Sequence, residues 1–212
     1  MSAPPTVVLL HGLARRRGSL AGLRRYLERA GFPTWAVTYP SRRQTIAEAA
    51  AQITERLLTE LPDQPLCAVT HSLGGIVVRH MHDPRLRWQR IVMLAPPNQG
   101  SQVAAAFADN PLFRWFYGAA GQEVGRATAA VDWPAPPAPF AVIAGTRGNT
   151  LANPTSWLPR RLFAADQPHD GTVAVSETAL PGMAELVTVD ATHTWIMNDA
   201  IVREKIVAFL RG

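Results

Sequence analysis

Short apolar runs rich in β-branched residues alternate along this chain with segments of helical periodicity. The strand-like runs are Thr6–Leu10, Thr34–Tyr39, Pro65–Val69, Arg90–Ala95, Phe140–Gly145 and Glu185–Asp190. Helical spacing marks residues 19–30, 46–61 and 197–210, a further helix-like run begins at Ile76, and Thr45 with Glu48 predicts a capping box. Strands separated mostly by helices predict an α/β fold: a mainly parallel sheet of about six strands with helices on both faces.

The residues that could carry chemistry fall where predicted strands end. They are His11–Gly12, Ser72, Asn98, Gly145–Thr146, Asp170 and His193. In parallel α/β sheets, ligands bind outside the carboxyl ends of the strands. This shared position predicts a single site at that edge of the sheet.

Ser72 lies between a predicted strand and a predicted helix, in the segment Val69–Gly75. Small residues two before and two after a serine permit the sharp, strained turn of a nucleophile elbow, which exposes the hydroxyl. Gly74 meets this requirement, whereas Thr70 stands where the usual pattern has glycine. A serine in a glycine-rich turn is often only a helix cap. We predict that Ser72 is a nucleophile.

A serine hydroxyl needs a base to remove its proton. Six histidines compete for this role, and four of them lie at the end of the first strand, beside the serine or on the following helix: His11, His71, His80 and His82. Of the remaining two, His169 and His193, the second follows the last predicted strand. We therefore predict that His193 is the base.

A carboxylate must orient the base, and Asp170 lies in a turn after the penultimate strand. Asp166 is the local competitor and Asp190 the distant one, and an Asp-Gly pair is also a common turn former. The chain order serine, aspartate, histidine, one of the orders known for triads of this kind, supports Asp170.

Backbone N–H groups are expected to stabilise the developing oxyanion. Leu73, directly after the serine, supplies one donor, and Leu13 in the loop after the first strand supplies the second. Gly12 lets this loop approach the substrate closely. We also predict that Gly12, His11 and His71 contact the substrate.

Residues 101–138 interrupt the alternation with a dense apolar cluster: Phe107, Leu112, Phe113, Trp115, Phe116 and Tyr117. The segment predicts a cap or lid over the pocket, or else an excursion that buries its own aromatic residues. Trp157 and Trp195 are further candidates for substrate contact. Asn98, Gly100 and Ser101 either line the pocket or only form a tight turn.

Composition narrows the possible partners. The 212 residues predict one domain, 1–212, and no stretch approaches the ~20 apolar residues of a membrane span. The net charge is +5 and 20 of the 21 basic residues are arginine, but they are spread along the chain without a nucleic-acid-binding motif. No Cys/His cluster has metal-ligand spacing, so neither a metal nor a cofactor is expected.

The lone Cys67 and the absence of a secretory signal at the N-terminus predict a cytoplasmic protein, unless a leader is missing from this sequence. The oligomeric state is left open.

The chain resembles compact bacterial α/β-hydrolases of the serine lipase and esterase type. The matching segments span most of its length: Leu9–Leu13, Thr70–Gly75, Leu94–Ser101, Asp170–Val173 and Asp190–His193. The resemblance implies an α/β-hydrolase fold without the first two strands of larger members. Thr70 departs from the family pattern, and the 101–138 segment matches no particular subfamily.

We expect a carboxylic ester hydrolase that works through an acyl-enzyme on a small ester or acyl substrate. Ser72 would attack, His193 would transfer the proton and Asp170 would orient His193. A thioesterase, amidase or acyltransferase would use the same three residues. A non-catalytic binding protein of this fold is the alternative outside the enzymes.

Overall fold

A single six-stranded sheet organises the computed structural model, which describes residues 4–126, 133–148 and 162–212 and only the backbone of 112–117. The strands are β1 Thr6–Leu10, β2 Thr34–Ala36, β3 Pro65–His71, β4 Arg87–Leu94, β5 Phe140–Gly145 and β6 Glu185–Val189. Their order is β2-β1-β3-β4-β5-β6, and all five pairings are parallel. The predicted fold class is confirmed, and the sheet as described contains no antiparallel strand.

Helices cover both faces of the sheet. They are α1 Ala21–Arg29, α2 Ile46–Glu60, α3 Leu73–Arg79, α4 Gln102–Phe107, α5 Pro111–Arg126, α6 Val175–Thr178 and α7 Ala200–Arg211, with 3-10 turns at Arg17–Leu20 and Ile196–Asn198. One apolar core joins the sheet to α2 and α3, and a second joins its other face to α1 and α7. Because both faces are covered, the strands read as continuous apolar runs.

The first strand shows how the two cores divide the chain. Val8 and Leu10 belong to the core beneath α2 and α3, whereas Val7 and Leu9 belong to the opposite core. Successive side chains of a strand point to opposite faces, so a buried sheet needs apolar residues at every position. All five residues of β1 are buried accordingly.

Element boundaries differ from the sequence prediction mainly at β2. The run Thr34–Tyr39 predicts six residues, but the strand ends at Ala36. Tyr39 leaves the sheet because its backbone N–H donates to His11 Nε2 at 3.2 Å and its ring stacks on the His11 ring. The capping box of Thr45 and Glu48 at the start of α2 is confirmed.

The segment between β4 and β5 forms α4 and α5, with residues 127–132 outside the described part. Its helix α5 is broken at Gly118, where φ is 63° and ψ is −158°. A Cβ at Gly118 would lie 1.7 Å from the carbonyl oxygen of Arg42, so only glycine permits this contact with the loop after β2. The side chains of 112–117, most of the predicted aromatic cluster, lie outside the described residues, as does Trp157.

Candidate active site

Ser72 occupies a strained turn between β3 and α3. Its φ of 52° and ψ of −122° are rare for a residue with a side chain, and its N–H donates to Leu94 O at 2.9 Å. A Cβ on Gly74 would lie 2.6 Å from the carbonyl oxygen of Leu10. Glycine is therefore required two residues after the serine, where α3 begins against the backbone of β1.

Thr70 is accommodated beside a second glycine. Its Oγ1 is buried without a hydrogen-bond partner among the described residues, and it lies 3.4 Å from where a Cβ on Gly75 would stand. A side chain at position 75 would also meet Pro96 Cβ at 2.9 Å and Met93 Cε at 3.0 Å, so the glycine leaves room for these neighbours and for the threonine.

The structure brings Ser72, His193 and Asp170 into one hydrogen-bonded chain. Ser72 Oγ lies 3.0 Å from His193 Nε2, and His193 Nδ1 lies 2.7 Å from Asp170 Oδ2. Asp170 is 1% exposed and His193 is 8% exposed, while Ser72 is half-buried. With Nδ1–H donating to the carboxylate, Nε2 is left as an acceptor for the serine hydroxyl.

The Asp170 carboxylate is fixed by its own turn. Oδ1 accepts hydrogen bonds from the N–H groups of Thr172 at 2.9 Å and Val173 at 2.8 Å, which leaves Oδ2 for His193. The backbone adds a second connection, because His193 N–H donates to Asp170 O at 3.0 Å. The turn that an Asp-Gly pair favours therefore also holds the carboxylate in place for His193.

The competing acids and base lie elsewhere. Asp166 is exposed, and Asp190 forms an exposed ion pair with Arg147. His169 stacks on Phe163 with ring centroids 3.8 Å apart, and its Nδ1 accepts from Gly171 N–H. None of the three contacts Ser72 or His193 in the described hydrogen bonds.

His11 holds the loop that carries Leu13. Its Nδ1–H donates to Gly12 O at 2.8 Å, while Tyr39 donates from its hydroxyl to His11 O. The carbonyl of Gly12 and the N–H of Leu13 belong to one planar trans peptide and point in opposite directions. The His11 ring thereby fixes where the Leu13 N–H points, and that N–H has no acceptor among the described residues.

His71 contacts the loop that carries His193. It is buried, and its Nε2–H donates to the backbone carbonyl of His193 at 2.9 Å. Burial, and then the nearby His193, hold the pKa of His71 well below its usual range, so the ring is neutral. The rings of His11 and His71 are both buried, which gives no support to the predicted substrate contact by either residue.

Asn98 and Ser101 have structural partners. Asn98 is buried, donates from Nδ2 to Thr178 O at 2.8 Å and accepts at Oδ1 from Arg79. Ser101 caps α4, where its Oγ accepts from Ala104 N–H. The sequence left open whether these residues line the pocket or only form a tight turn, and these contacts favour the tight turn. The prediction that Asn98 touches substrate gains no support.

Arg79 is a residue that the sequence reasoning missed. It is buried on α3, and its guanidinium donates to the carbonyl oxygens of Trp133 at 2.7 Å, Pro134 at 2.6 Å and Asn98 at 3.0 Å. Burial lowers the pKa of Arg79 to about 10, so the side chain remains cationic at neutral pH. A single arginine on the otherwise apolar helix Leu73–Arg79 was the available signal.

Trp195 is the exposed aromatic residue beside the base. It lies two residues after His193 and is 52% exposed, a large value for tryptophan. Its position agrees with the predicted substrate contact, which remains a prediction.

Metal-ion and membrane features are absent from the part of the chain that is described. No group of three or more His, Cys, Asp or Glu side chains there could hold a metal ion. In the same ranges, no helix is both long and apolar enough to span a membrane.

The parallel sheet with a strained serine turn after β3 defines an α/β protein of the hydrolase class. The chain belongs to the alpha/beta hydrolase family, which it matches over residues 7–209. No curated protein matches its sequence significantly.

Solved structures share the fold at low sequence identity. A lipase from Bacillus licheniformis, in its mature form, has a TM-score of 0.77 at 17% identity, with 99% of this chain and 93% of that one covered. A metagenomic carboxyl esterase has a TM-score of 0.69 at 22% identity, covering 92% and 66%. Phospholipase PlaB from Legionella pneumophila has a TM-score of 0.74 at 16% identity, covering 100% and 60%.

Proposed function

We propose that this protein is a serine hydrolase that cleaves carboxylic esters through an acyl-enzyme. The observation that carries the proposal is the continuous hydrogen-bonded path from Ser72 Oγ through His193 to Asp170, with the serine on a strained turn. The structural neighbours include a lipase, a carboxyl esterase and a phospholipase, which supports an ester as substrate.

The first half of the reaction forms the acyl-enzyme. Ser72 Oγ attacks the ester carbonyl while His193 Nε2 takes the hydroxyl proton, and the Asp170 carboxylate stabilises the imidazolium that results. The tetrahedral intermediate collapses when the same proton passes to the leaving alcohol. Water then attacks the acyl-enzyme with His193 as base, and the acid product and the free serine are released.

The backbone N–H groups of Leu13 and Leu73 are the proposed donors to the oxyanion. Leu73 is the first residue of α3, so its N–H has no acceptor within the helix. The N–H of Leu13 is oriented through the His11–Gly12 hydrogen bond. Donors fixed in advance need no reorganisation as charge develops, which is why such groups contribute strongly to catalysis.

The direct test is the variant Ser72→Ala. We expect it to lose hydrolysis of p-nitrophenyl butyrate by roughly 10⁴-fold or more and to lose labelling by a fluorophosphonate probe. Ser176→Ala, at an exposed serine on α6, is the matched control and should keep both. Unchanged turnover by Ser72→Ala would refute the assignment. A correctly folded wild-type protein that takes up no probe would favour a non-catalytic binding protein.

A further inference from the structure

A cleft of about 600 Å³ opens between the loops that follow β1 and β2. Four arginines line it: Arg15 and Arg16 from the first loop, and Arg42 and Arg43 from the second. None of the described residues that line the cleft is acidic. Positive charge is therefore concentrated in one concave site at the carboxyl edge of the sheet.

Among the described residues, three of the four arginines in the cleft have no carboxylate partner. Four arginines outside it form ion pairs with nearby carboxylates: Arg24–Glu28, Arg56–Glu60, Arg85–Asp83 and Arg147–Asp190. Within the described residues, Arg15, Arg16 and Arg43 form no such pair. Burial lowers the pKa of Arg15, and no carboxylate offsets that desolvation. An anion entering the cleft would provide the missing partner.

Arg15 connects the cleft to the loop that carries the base. Arg15 follows Leu13 by two residues, and its Nη1 donates to the carbonyl of Thr194 at 3.1 Å, next to His193. The base must deliver its proton to the leaving alcohol, so that alcohol lies beside His193. A charged group on that alcohol would therefore face the loop that Arg15 contacts.

Hydrogen bonds hold the two walls of the cleft together. Ala14 N–H donates to Ser41 Oγ at 3.1 Å, Tyr39 N–H donates to His11 Nε2 at 3.2 Å, and Arg17 N–H donates to Thr38 Oγ1 at 3.1 Å. The walls are thus fixed before a ligand arrives, which lowers the entropic cost of binding.

We propose that this cleft binds a phosphate group carried by the leaving alcohol of the ester substrate. Guanidinium groups match the geometry of phosphate oxygens and can bind them in bidentate fashion, so four of them on one cleft select this chemistry over a neutral alcohol. The proposal rests on the proposed esterase function, since it assigns the substrate of that same site.

The test compares two matched esters, 1-butyrylglycerol 3-phosphate and 1-butyrylglycerol, at low ionic strength. We expect wild type to favour the phosphate ester in kcat/KM by about tenfold or more, and this preference to fall as salt is added. The double variant Arg16→Gln/Arg43→Gln should lower the ratio by about tenfold, as expected when charge-assisted contacts are lost.

The control is Arg25→Gln/Arg29→Gln on α1, which removes the same two charges at exposed positions away from the cleft. Its ratio should equal that of wild type. A wild-type ratio near one at low salt would overturn the phosphate site and leave the esterase function standing. Equal ratios in the two double variants would overturn it as well.

A binding measurement keeps the two proposals separable. If wild type cleaves neither ester, the esterase proposal fails for these substrates. Calorimetric titration of Ser72→Ala with each ester then tests whether the cleft binds the phosphate group. Tighter binding of the phosphate ester, weakened by Arg16→Gln/Arg43→Gln, supports the cleft as a phosphate site. Equal binding of the two esters, or none, overturns it.

Discussion

Two glycines set the distances between the reacting groups. A Cβ on Gly12 would lie 2.9 Å from His71 Nδ1 and 3.2 Å from Ser72 Cβ. A Cβ on Gly145 would lie 2.4 Å from the carbonyl oxygen of Ala191 and 2.8 Å from Asp170 Cβ. Any side chain at either position would force loops of the site apart.

Asp170 supplies a prediction at the residue scale. Asp170→Asn removes the charge that holds the His193 tautomer, so we expect kcat for p-nitrophenyl butyrate to fall by about 10³- to 10⁴-fold. The same change at exposed Asp166 should leave kcat within about twofold of wild type, as surface substitutions usually do. The opposite ranking would reassign the acid.

His11 supplies a second residue-scale prediction, because it orients the Gly12–Leu13 peptide. His11→Phe keeps a buried ring but removes the donor to Gly12 O, and we expect kcat to fall by about 10- to 100-fold with little change in KM, less than the loss of an oxyanion donor itself. His11→Asn can place an amide N–H near the Nδ1 position and should restore part of that loss. Equal kcat in the two variants would indicate a packing role only.

At the scale of elements, helix α3 connects the nucleophile to the segment that returns from α5. Its first turn carries Leu73 beside Ser72, and its last residue, Arg79, binds the backbone of Trp133, Pro134 and Asn98. A displacement of that returning segment would therefore shift Arg79, and with it the helix that begins next to the nucleophile.

Arg79→Met tests this connection. The methionine fills similar space but leaves three backbone carbonyl groups and the Asn98 side-chain oxygen without this donor, so we expect a loss of about 2–4 kcal/mol in the free energy of unfolding. Urea denaturation measures it. Arg87→Met removes an exposed arginine whose Nη1 donates to Asp63 O, and it should cost less than about 0.5 kcal/mol. Similar losses in both variants would contradict the role assigned to Arg79.

At the scale of the whole molecule, two buried histidines couple stability to pH. Burial lowers the pKa of both His11 and His71, whereas each has a pKa near 6.5 in the unfolded chain. Below that pH the unfolded chain binds more protons than the folded one, so protonation favours unfolding.

We expect the free energy of unfolding to be fully maintained above about pH 7 and to fall as pH drops below 6.5 towards the folded pKa values. The slope can reach about 1.4 kcal/mol per pH unit for each histidine. Urea denaturation between pH 5 and 8 measures it, and His71→Gln should flatten the slope by about half. An unchanged slope in that variant would show that His71 does not contribute.

Predictions from sequence were most accurate where the pattern is local. The strand Phe140–Gly145 and the capping box at Thr45 are as predicted, because apolar runs and caps depend on near neighbours. The early end of β2 was not foreseen, since Tyr39 exchanges a strand position for contacts with His11, a residue from another strand end. Arg79 was missed because its acceptors are backbone carbonyls of distant segments.

The sequence by itself determined the α/β fold class, the parallel sheet and the set of polar residues at the strand ends, because the periodicity of apolar residues dictates which elements form. Only the tertiary structure decided which of those residues meet. Ser72 and His193 are 121 residues apart and touch because β3 and β6 end at the same edge of the sheet. The arginine cleft likewise depends on two loops that adjacent parallel strands bring side by side.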